Sequence, residues 1–410
     1  MRPTTILALA VCFLPAPVSG QAAPQPRARD LGVPFDGTPG PLNAITDVAG
    51  VTVGQVTIVS GKGPLVVGQG PVRTGVTAVL PRGAANGDPV MAGWFTLNGN
   101  GEMTGTTWLE ESGFLAGPVM ITNTHSVGVV RDAVIEWLVH KGFNFDWSLP
   151  VVAETWDGSL NDINGFHVSK QDAFRALDSA KSGAVAEGNV GGGTGMICHQ
   201  FKGGIGTASR RFAIEDKTYT LGVLVQCNYG VRRLLRIAGV PVGTEIPDLL
   251  PCLDTAEPRP KADERYPRCT VKVGARDPGP GGVGEMGSII VVVATDVPLL
   301  PHQLQRVARH VSLGIGKMGG LGSNSSGDIY VAFSTANPSA ADPKGLHAAT
   351  YISNEAITTV FEATVQATEE SITNALVAAE TMTGANDLRI SALPHDRLRA
   401  ALQKYGRLGK

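Results

Sequence analysis

An excess of charge of either sign is what this sequence most lacks. Its 34 Lys and Arg stand against 36 Asp and Glu, and only 17% of its 410 residues are charged. Such a balance offers no basic field for nucleic acid or for an anionic membrane. The apolar run from Ile6 to Leu14 is too short to span a bilayer. No Cys-x-x-Cys pair and no His-Glu-x-x-His occur, and the eight histidines are scattered, so a metal site has no support and no cofactor is implied. No serine has glycine two positions ahead of it, which excludes the nucleophile elbow Gly-x-Ser-x-Gly. Gly191–Gly195 lacks the Gly-Lys-Ser/Thr of a phosphate loop, and Gly316-Lys317 is followed by Met318. The glycine run therefore reads as a tight turn under crowded backbone. Disorder is excluded by the apolar runs that recur along the chain.

What is present begins with a leader. Arg2, the apolar Ile6–Leu14 and the small residues of Pro15–Ala23 follow the order of a secretory signal peptide. Cleavage is expected near 19–23, and the mature chain is expected in the periplasm or outside the cell. Four cysteines remain after that cut. Cys252 and Cys269 bracket a polar, Pro-rich stretch, so a disulfide closing a surface insertion at 250–270 is expected. Cys198 and Cys227 lie in apolar surroundings and read as core packing.

Patterning indicates a layered α/β protein. Val51–Ile58 alternates as a half-buried strand. Tyr219–Gln226 is a strongly apolar strand, and Ser288–Ala294 is a β-branched run suited to burial on both faces. Ile329–Ser334 is a further strand. Helices are expected at Val127–Leu138, more weakly at Lys170–Ser182, through Leu300, Leu304, Val307 and Val311, from about Ile352 to Thr381, and near His395–Lys404. In the long one, Ala356, Val360, Phe361, Thr364 and Ile372 share a side.

Six ordered blocks carry more than periodicity. They are Gly40–Gly54, Ile121–Gly128, Ala153-Glu-Thr-Trp-Asp-Gly158, Gly193–Gly195 with Lys202–Arg210, Val225-Gln-Cys-Asn228, and Glu285–His302 followed by Ser326–Asn337. Together they resemble the peptidase family of L-aminopeptidase/D-amidase/esterases and β-peptidyl aminopeptidases. The resemblance implies a four-layer αββα sandwich, self-cleaved at Gly287-Ser288 into an α subunit (24–287) and a β subunit (288–410) that together make one catalytic domain. It also implies a homo-oligomer of such αβ units. Ser288 would become the amino-terminal nucleophile. The chemistry suits the residue types: a terminal α-amine, with a reference pKa of about 7.7–8.0, can act as the base that a serine hydroxyl needs, whereas an internal amide cannot.

By the same resemblance, Ser326 and Asp328 orient that amine, and two residues apart on an extended segment they fall on one face. Asn228 donates to the oxyanion, Glu154 receives the substrate's ammonium, and Lys202 supports the precursor or the site. Trp156 stands where some relatives have Tyr, which puts an oxyanion role there in doubt and bears on substrate choice. Substrates would be small peptides, amides or esters. The Glu-Thr-Trp-Asp-Gly block and the leader lean towards β-peptidyl aminopeptidase; an L-aminopeptidase/D-esterase-amidase is the alternative. An acyltransferase like the ornithine acetyltransferases would typically use Thr as nucleophile. A secreted binding protein that keeps the fold would remain one uncut chain.

Overall fold

The computed structural model describes residues 26–143, 145–255, 266–271 and 287–409. The leader expected at 1–23 lies outside them, as does 256–265 of the expected insertion.

In chain order, the first part supplies β1 (Thr52–Ser60), β2 (Val72–Leu80), β3 (Val90–Gly99), α1 (Thr106–Ser112), β4 (Phe114–Leu115), β5 (Val119–Asn123), α2 (Val127–His140), β6 (Val151–Thr155) and α3 (Lys170–Asp178). The middle supplies β7 (Ile197–Cys198), β8 (Phe201–Lys202), the long hairpin β9 (Gly204–Ile214) and β10 (Lys217–Asn228), the single turn α4 (Val242–Glu245) and β11 (Cys252–Leu253). The last part supplies β12 (Ser288–Thr295), α5 (Pro301–Lys317), β13 (Gly327–Ser334), α6 (Thr358–Ala378), β14 (Met382–Thr383), β15 (Leu388–Ile390) and α7 (His395–Lys404).

These elements stack in four layers. One sheet runs β1-β2-β5-β6 and the other β4-β3-β13-β12-β10-β9. Side-chain parity along each strand divides the core in three. On β12, Ile289, Val291 and Val293 join Leu304, Val307 and Val311 of α5 and Ile372 and Leu376 of α6. Ile290, Val292 and Ala294 point the other way, against Val79, Val119, Ile121 and Ala153 of the opposing sheet. That sheet turns Val76, Met120 and Val152 outward to Val130 and Val134 of α2 and to Ala173 and Leu177 of α3. The result is the αββα sandwich. All eight residues of β12 are buried, as the continuous β-branched run requires. Strands β12 and β13 are parallel and joined through α5, whereas β12 pairs antiparallel with β10.

Differences from the sequence reading have local causes. Helix α6 starts only at Thr358, because Asn354 to Ile357 form turns ahead of it. Its second half is buried on every side, so no single apolar stripe marks it. Cys252 and Cys269 are joined as expected, but the ends of the insertion are woven into the fold: β11 pairs with β15, and Leu253 packs on Leu160, Leu388 and Ile390. Cys198 and Cys227, expected as packed thiols, are instead joined to each other across 29 residues of sequence.

Burial of the second half of α6 brings Glu370 into the core, where Arg210 meets it at 2.8 Å and Arg29 at 2.7 Å. Burial alone would raise the Glu370 pKa, but Arg29, Arg210 and Asn43 together hold it below its usual range. Removing one partner of such a pair strands the other charge. Glu370→Ala should therefore cost about 3–5 kcal/mol of stability in urea unfolding at neutral pH. A depressed carboxylate contributes stability above its unfolded pKa and loses it as pH falls through the folded one, so the deficit should shrink in acid.

Candidate active site

Antiparallel register places Ser288, the first residue of β12, opposite Asn228, the last of β10. Both share strand parity with Leu224 and Ile290, whose side chains lie between the sheets. Ser288 is buried, and its Oγ accepts the Gly327 N–H at 3.0 Å. The Asn228 amide is fixed at both ends: Oδ1 accepts the Ile197 N–H (2.8 Å) and Nδ2 donates to the Trp156 carbonyl (2.9 Å). A primary amide has two N–H donors, so Nδ2 retains a second one.

Gly287, just before Ser288, has φ +148°, a region that side-chain-bearing residues rarely adopt. A Cβ there would stand 1.8 Å from the Asn228 carbonyl oxygen and 3.2 Å from its Nδ2. The Gly287–Ser288 junction is thus pressed onto Asn228, and only glycine fits.

Ser326 and Asp328 flank Gly327 and are both fully buried. Ser326 Oγ donates to Asp328 Oδ1 at 2.6 Å, so the two side chains do meet on one face. A register shift between Asp328 and Ile329 marks a bulge at the head of β13, a device that re-aims side chains at strand ends. Gly327 is closely covered: a Cβ would meet the Asn100 carbonyl at 2.5 Å and Gly101 Cα at 2.7 Å.

The same Gly101 links this centre to Glu154. An atom placed as its Cβ would lie 3.1 Å from Gly327 Cα and 3.2 Å from Glu154 Oε1. Glu154 is buried on β6, where Oε1 accepts the Glu102 N–H (3.0 Å) and Oε2 accepts the Thr124 hydroxyl. Burial pushes its pKa up; the bonds from Thr124 and Glu102 oppose that shift, as does His125 nearby. Trp156 offers its main-chain carbonyl to Asn228 and lays its half-buried indole against Gly158.

Lys202 sits one step behind. It is fully buried, and its Nζ donates to the carbonyls of Met196 (2.8 Å) and Gly203 (2.9 Å), with Gly193 at 3.4 Å. Burial draws its pKa down to about 7. It gathers the buried Gly191–Gly195 turn and the backbone that leads to Ile197. Asp157, next to Trp156, is also buried, and burial raises its carboxyl to about 6.

The structure therefore brings together Ser288, Gly287, Asn228, Ser326, Asp328, Glu154 and the Trp156 main chain, with Lys202 as a buried support. Sequence reasoning passed over Gly327, Thr124 and Glu102. The first two lay inside blocks already singled out, but their use of a main-chain N–H and a hydroxyl appears only once the strands are paired. Among the described residues, no group of three or more His, Cys, Asp or Glu side chains is placed to hold a metal ion.

Fold and site define an aminopeptidase of the amino-terminal nucleophile hydrolase class, a serine enzyme. The chain belongs to peptidase family S58, whose pattern it matches over residues 43–390. It is 57% identical over 388 residues to the β-peptidyl aminopeptidase BapA of Sphingosinicella microcystinivorans, covering 94% of each chain. It is 47% identical over 378 residues to BapA of Sphingosinicella xenopeptidilytica, covering 91% of this chain and 90% of that one. The solved L-aminopeptidase D-Ala-esterase/amidase of Ochrobactrum anthropi superposes with a TM-score of 0.82 at 46% identity, over 94% of this chain and all of that one. A Burkholderia sp. β-aminopeptidase superposes at 0.78 with 43% identity, over 93% of this chain and 99% of that one.

Lys202→Met would leave buried carbonyls without their donor, and should lower stability by about 1–3 kcal/mol in urea unfolding.

Proposed function

We propose that this aminopeptidase activates itself by cutting Gly287–Ser288 and then releases amino-terminal residues, β-amino acids among them, from short peptides and amides. The observation that carries this reading is the pressing of the Gly287–Ser288 junction onto Asn228 while the Gly327 N–H holds Ser288 Oγ. In the precursor, Ser288 Oγ attacks the Gly287 carbonyl carbon, the C–N bond breaks, and the nitrogen takes the hydroxyl proton. Water then hydrolyses the ester, leaving a carboxylate on Gly287 and a free amine on Ser288. That amine is the base for turnover, with Ser326 and Asp328 holding it in place. Ser288 Oγ attacks the carbonyl of the substrate's first residue while the Ser288 amine takes its proton, and Asn228 Nδ2–H donates to the oxyanion; the scissile C–N bond then breaks, the proton passes to the departing amine, and water resolves the acyl-enzyme.

Glu154 receives the substrate's ammonium. A carboxylate kept from bulk water attracts a cation strongly and penalises a blocked amine, which limits the enzyme to free amino termini. Two β-peptidyl aminopeptidases among the relatives support the β-amino preference. The Ochrobactrum anthropi relative supports an L-aminopeptidase/D-esterase-amidase as the second reading. Comparing a β-homo dipeptide with L- and D-alanine amides separates the two. The leader supports export to the periplasm or beyond, and association of αβ units is part of the same reading, to be checked by sedimentation of the purified enzyme.

On a denaturing gel the wild type should give two bands, the smaller beginning at Ser288. Ser288→Ala should stay one chain and be inactive; a processed, active Ser288→Ala protein would falsify the assignment. In Gly287→Ala the backbone must withdraw from Asn228, and displacement of a reacting group by about an ångström is enough for roughly a hundredfold loss. Appearance of the smaller band should slow by that factor or more.

Glu154→Gln should still self-cleave, yet lose about 1.5–3 kcal/mol of transition-state binding for free-amine substrates. The pH profile offers a sharper reading. As pH falls, log(kcat/KM) should first drop with unit slope as the Ser288 amine protonates. It should then steepen towards a slope of two as Glu154, its pKa raised by burial, takes up a proton above the ordinary carboxylate range. In Glu154→Gln the slope should stay at one.

A further inference from the structure

The Cys198–Cys227 disulfide has a place that core packing does not explain. Cys227 immediately precedes Asn228, and Cys198 immediately follows Ile197, whose N–H fixes the Asn228 amide. The covalent link and the hydrogen bond thus span the same two strand ends, β7 and β10, one residue apart on each. A third tie continues the pattern, from His199 N–H to the Tyr229 carbonyl at 2.7 Å.

Strand β7 cannot hold this position by itself. It is two residues long and pairs only with the two-residue β8. A ladder that short is marginal. Directly after it the chain bends through His199 and Gln200, with φ of +49° and +60°. Residues with side chains occupy that region at a cost of order 1–3 kcal/mol each. His199 is also fully buried, and its Nε2 has no hydrogen-bond partner among the described residues. Arg232 secures the bend itself, donating to the carbonyls of His199 at 3.1 Å and Gln200 at 2.7 Å, while the disulfide secures the strand end that carries Ile197 to Asn228.

We propose that the Cys198–Cys227 disulfide is the positioning clamp of the oxyanion donor Asn228, so that self-cleavage and turnover require this bond to be oxidised. The inference rests on the role given to Asn228 above. Opening the clamp is a two-electron reduction by an external dithiol or phosphine. The S–S bond breaks and Cys198 and Cys227 each become thiols; a dithiol supplies both hydrogens and closes to a cyclic disulfide, whereas a phosphine takes its oxygen, and the thiols their protons, from water. Without the link, the ends of β7 and β10 are free to part, Oδ1 loses the Ile197 N–H and the amide turns from its productive orientation. Both sulfurs are fully buried, so the folded clamp resists reductant and the link must form before or during folding.

The test begins with mature wild-type enzyme, denatured and alkylated without reductant, then mapped by peptide mass. Cys198 and Cys227 should be recovered as one cross-linked peptide pair; both recovered alkylated would overturn the proposal. Cys198→Ala, Cys227→Ala and the double variant should each slow self-cleavage and lower kcat about tenfold or more, with KM within about twofold of wild type. The double should lose no more than either single, since one bond is removed in all three. Cys252→Ala, which opens the other disulfide, should keep kcat. Wild-type kcat in the Cys198 and Cys227 variants, with only the melting temperature lowered, would reduce the bond to a structural staple and overturn the clamp. Should these variants prove insoluble, wild type reduced by a phosphine in mild denaturant and returned to assay buffer decides the matter. Activity should fall in step with the Cys198 and Cys227 thiols formed, and full activity with both reduced would overturn the proposal. A wild type without aminopeptidase activity would instead sink the proposed function; an active enzyme whose kcat ignores the bond sinks only the clamp.

Discussion

Burial of β12 on both of its faces is the constraint from which the rest follows. A strand of Ile and Val wanted by two layers at once must lie in the middle of the six-stranded sheet, with β10 on one side and β13 on the other. Its observed register sets Ser288 opposite Asn228 on β10 and Ile289 beside Asp328 on β13. The polar residue at its head has no freedom left: Ser288 must come to rest against the end of β10 and the start of β13. The position of this candidate centre is a by-product of hydrophobic packing. The site sits at the strand ends because that is where the apolar alternation stops and polar side chains can face one another.

The electrostatics of the centre follow from the same position. Groups that the sheets carry inward lose water, and the protein replaces it with fixed dipoles. Glu154 receives a main-chain N–H and a hydroxyl, Lys202 is met by carbonyls, and Asn228 is held by one donor and one acceptor. Each is therefore rigid before substrate arrives, which is the condition for stabilising developing charge without reorganisation. Glycine is needed where backbones meet at this centre, at Gly287 against Asn228 and at Gly327 against Asn100.

Much of this was legible in the residues. The β-branched run of β12 announced burial on two faces, and the last helix was expected near where α7 lies. Six ordered blocks identified the family and named Ser288, Asn228 and Glu154. What stayed hidden depends on long-range register. Nothing near Cys198 announces Cys227, since their meeting needs the end of β10 brought beside β7. Thr124 and Gly327 act through groups that nearly every protein has in abundance, and their use is defined by strand pairing alone. The second half of α6 misled for the opposite reason: a helix buried on all sides carries no amphipathic signature, and its Glu369 and Glu370 look like surface residues until their arginine and lysine partners are seen.

The order of strands in the larger sheet has one more consequence. Strands β12 and β13 come from the part of the chain after Gly287, yet they lie between β3 and β10, which come from the part before it. A cut at Gly287–Ser288 would leave the later fragment laced into the earlier one along two hydrogen-bonded ladders, with α5 and α6 forming an outer layer over strands of both. Two polypeptides would then unfold as one body. Their association would be coupled to folding, so that separating them means unfolding both, because neither fragment keeps a closed core once the other is withdrawn. Maturation of this kind is irreversible in a conformational sense as well as a chemical one: fragments once separated would have to rebuild the middle of a sheet from both edges at once.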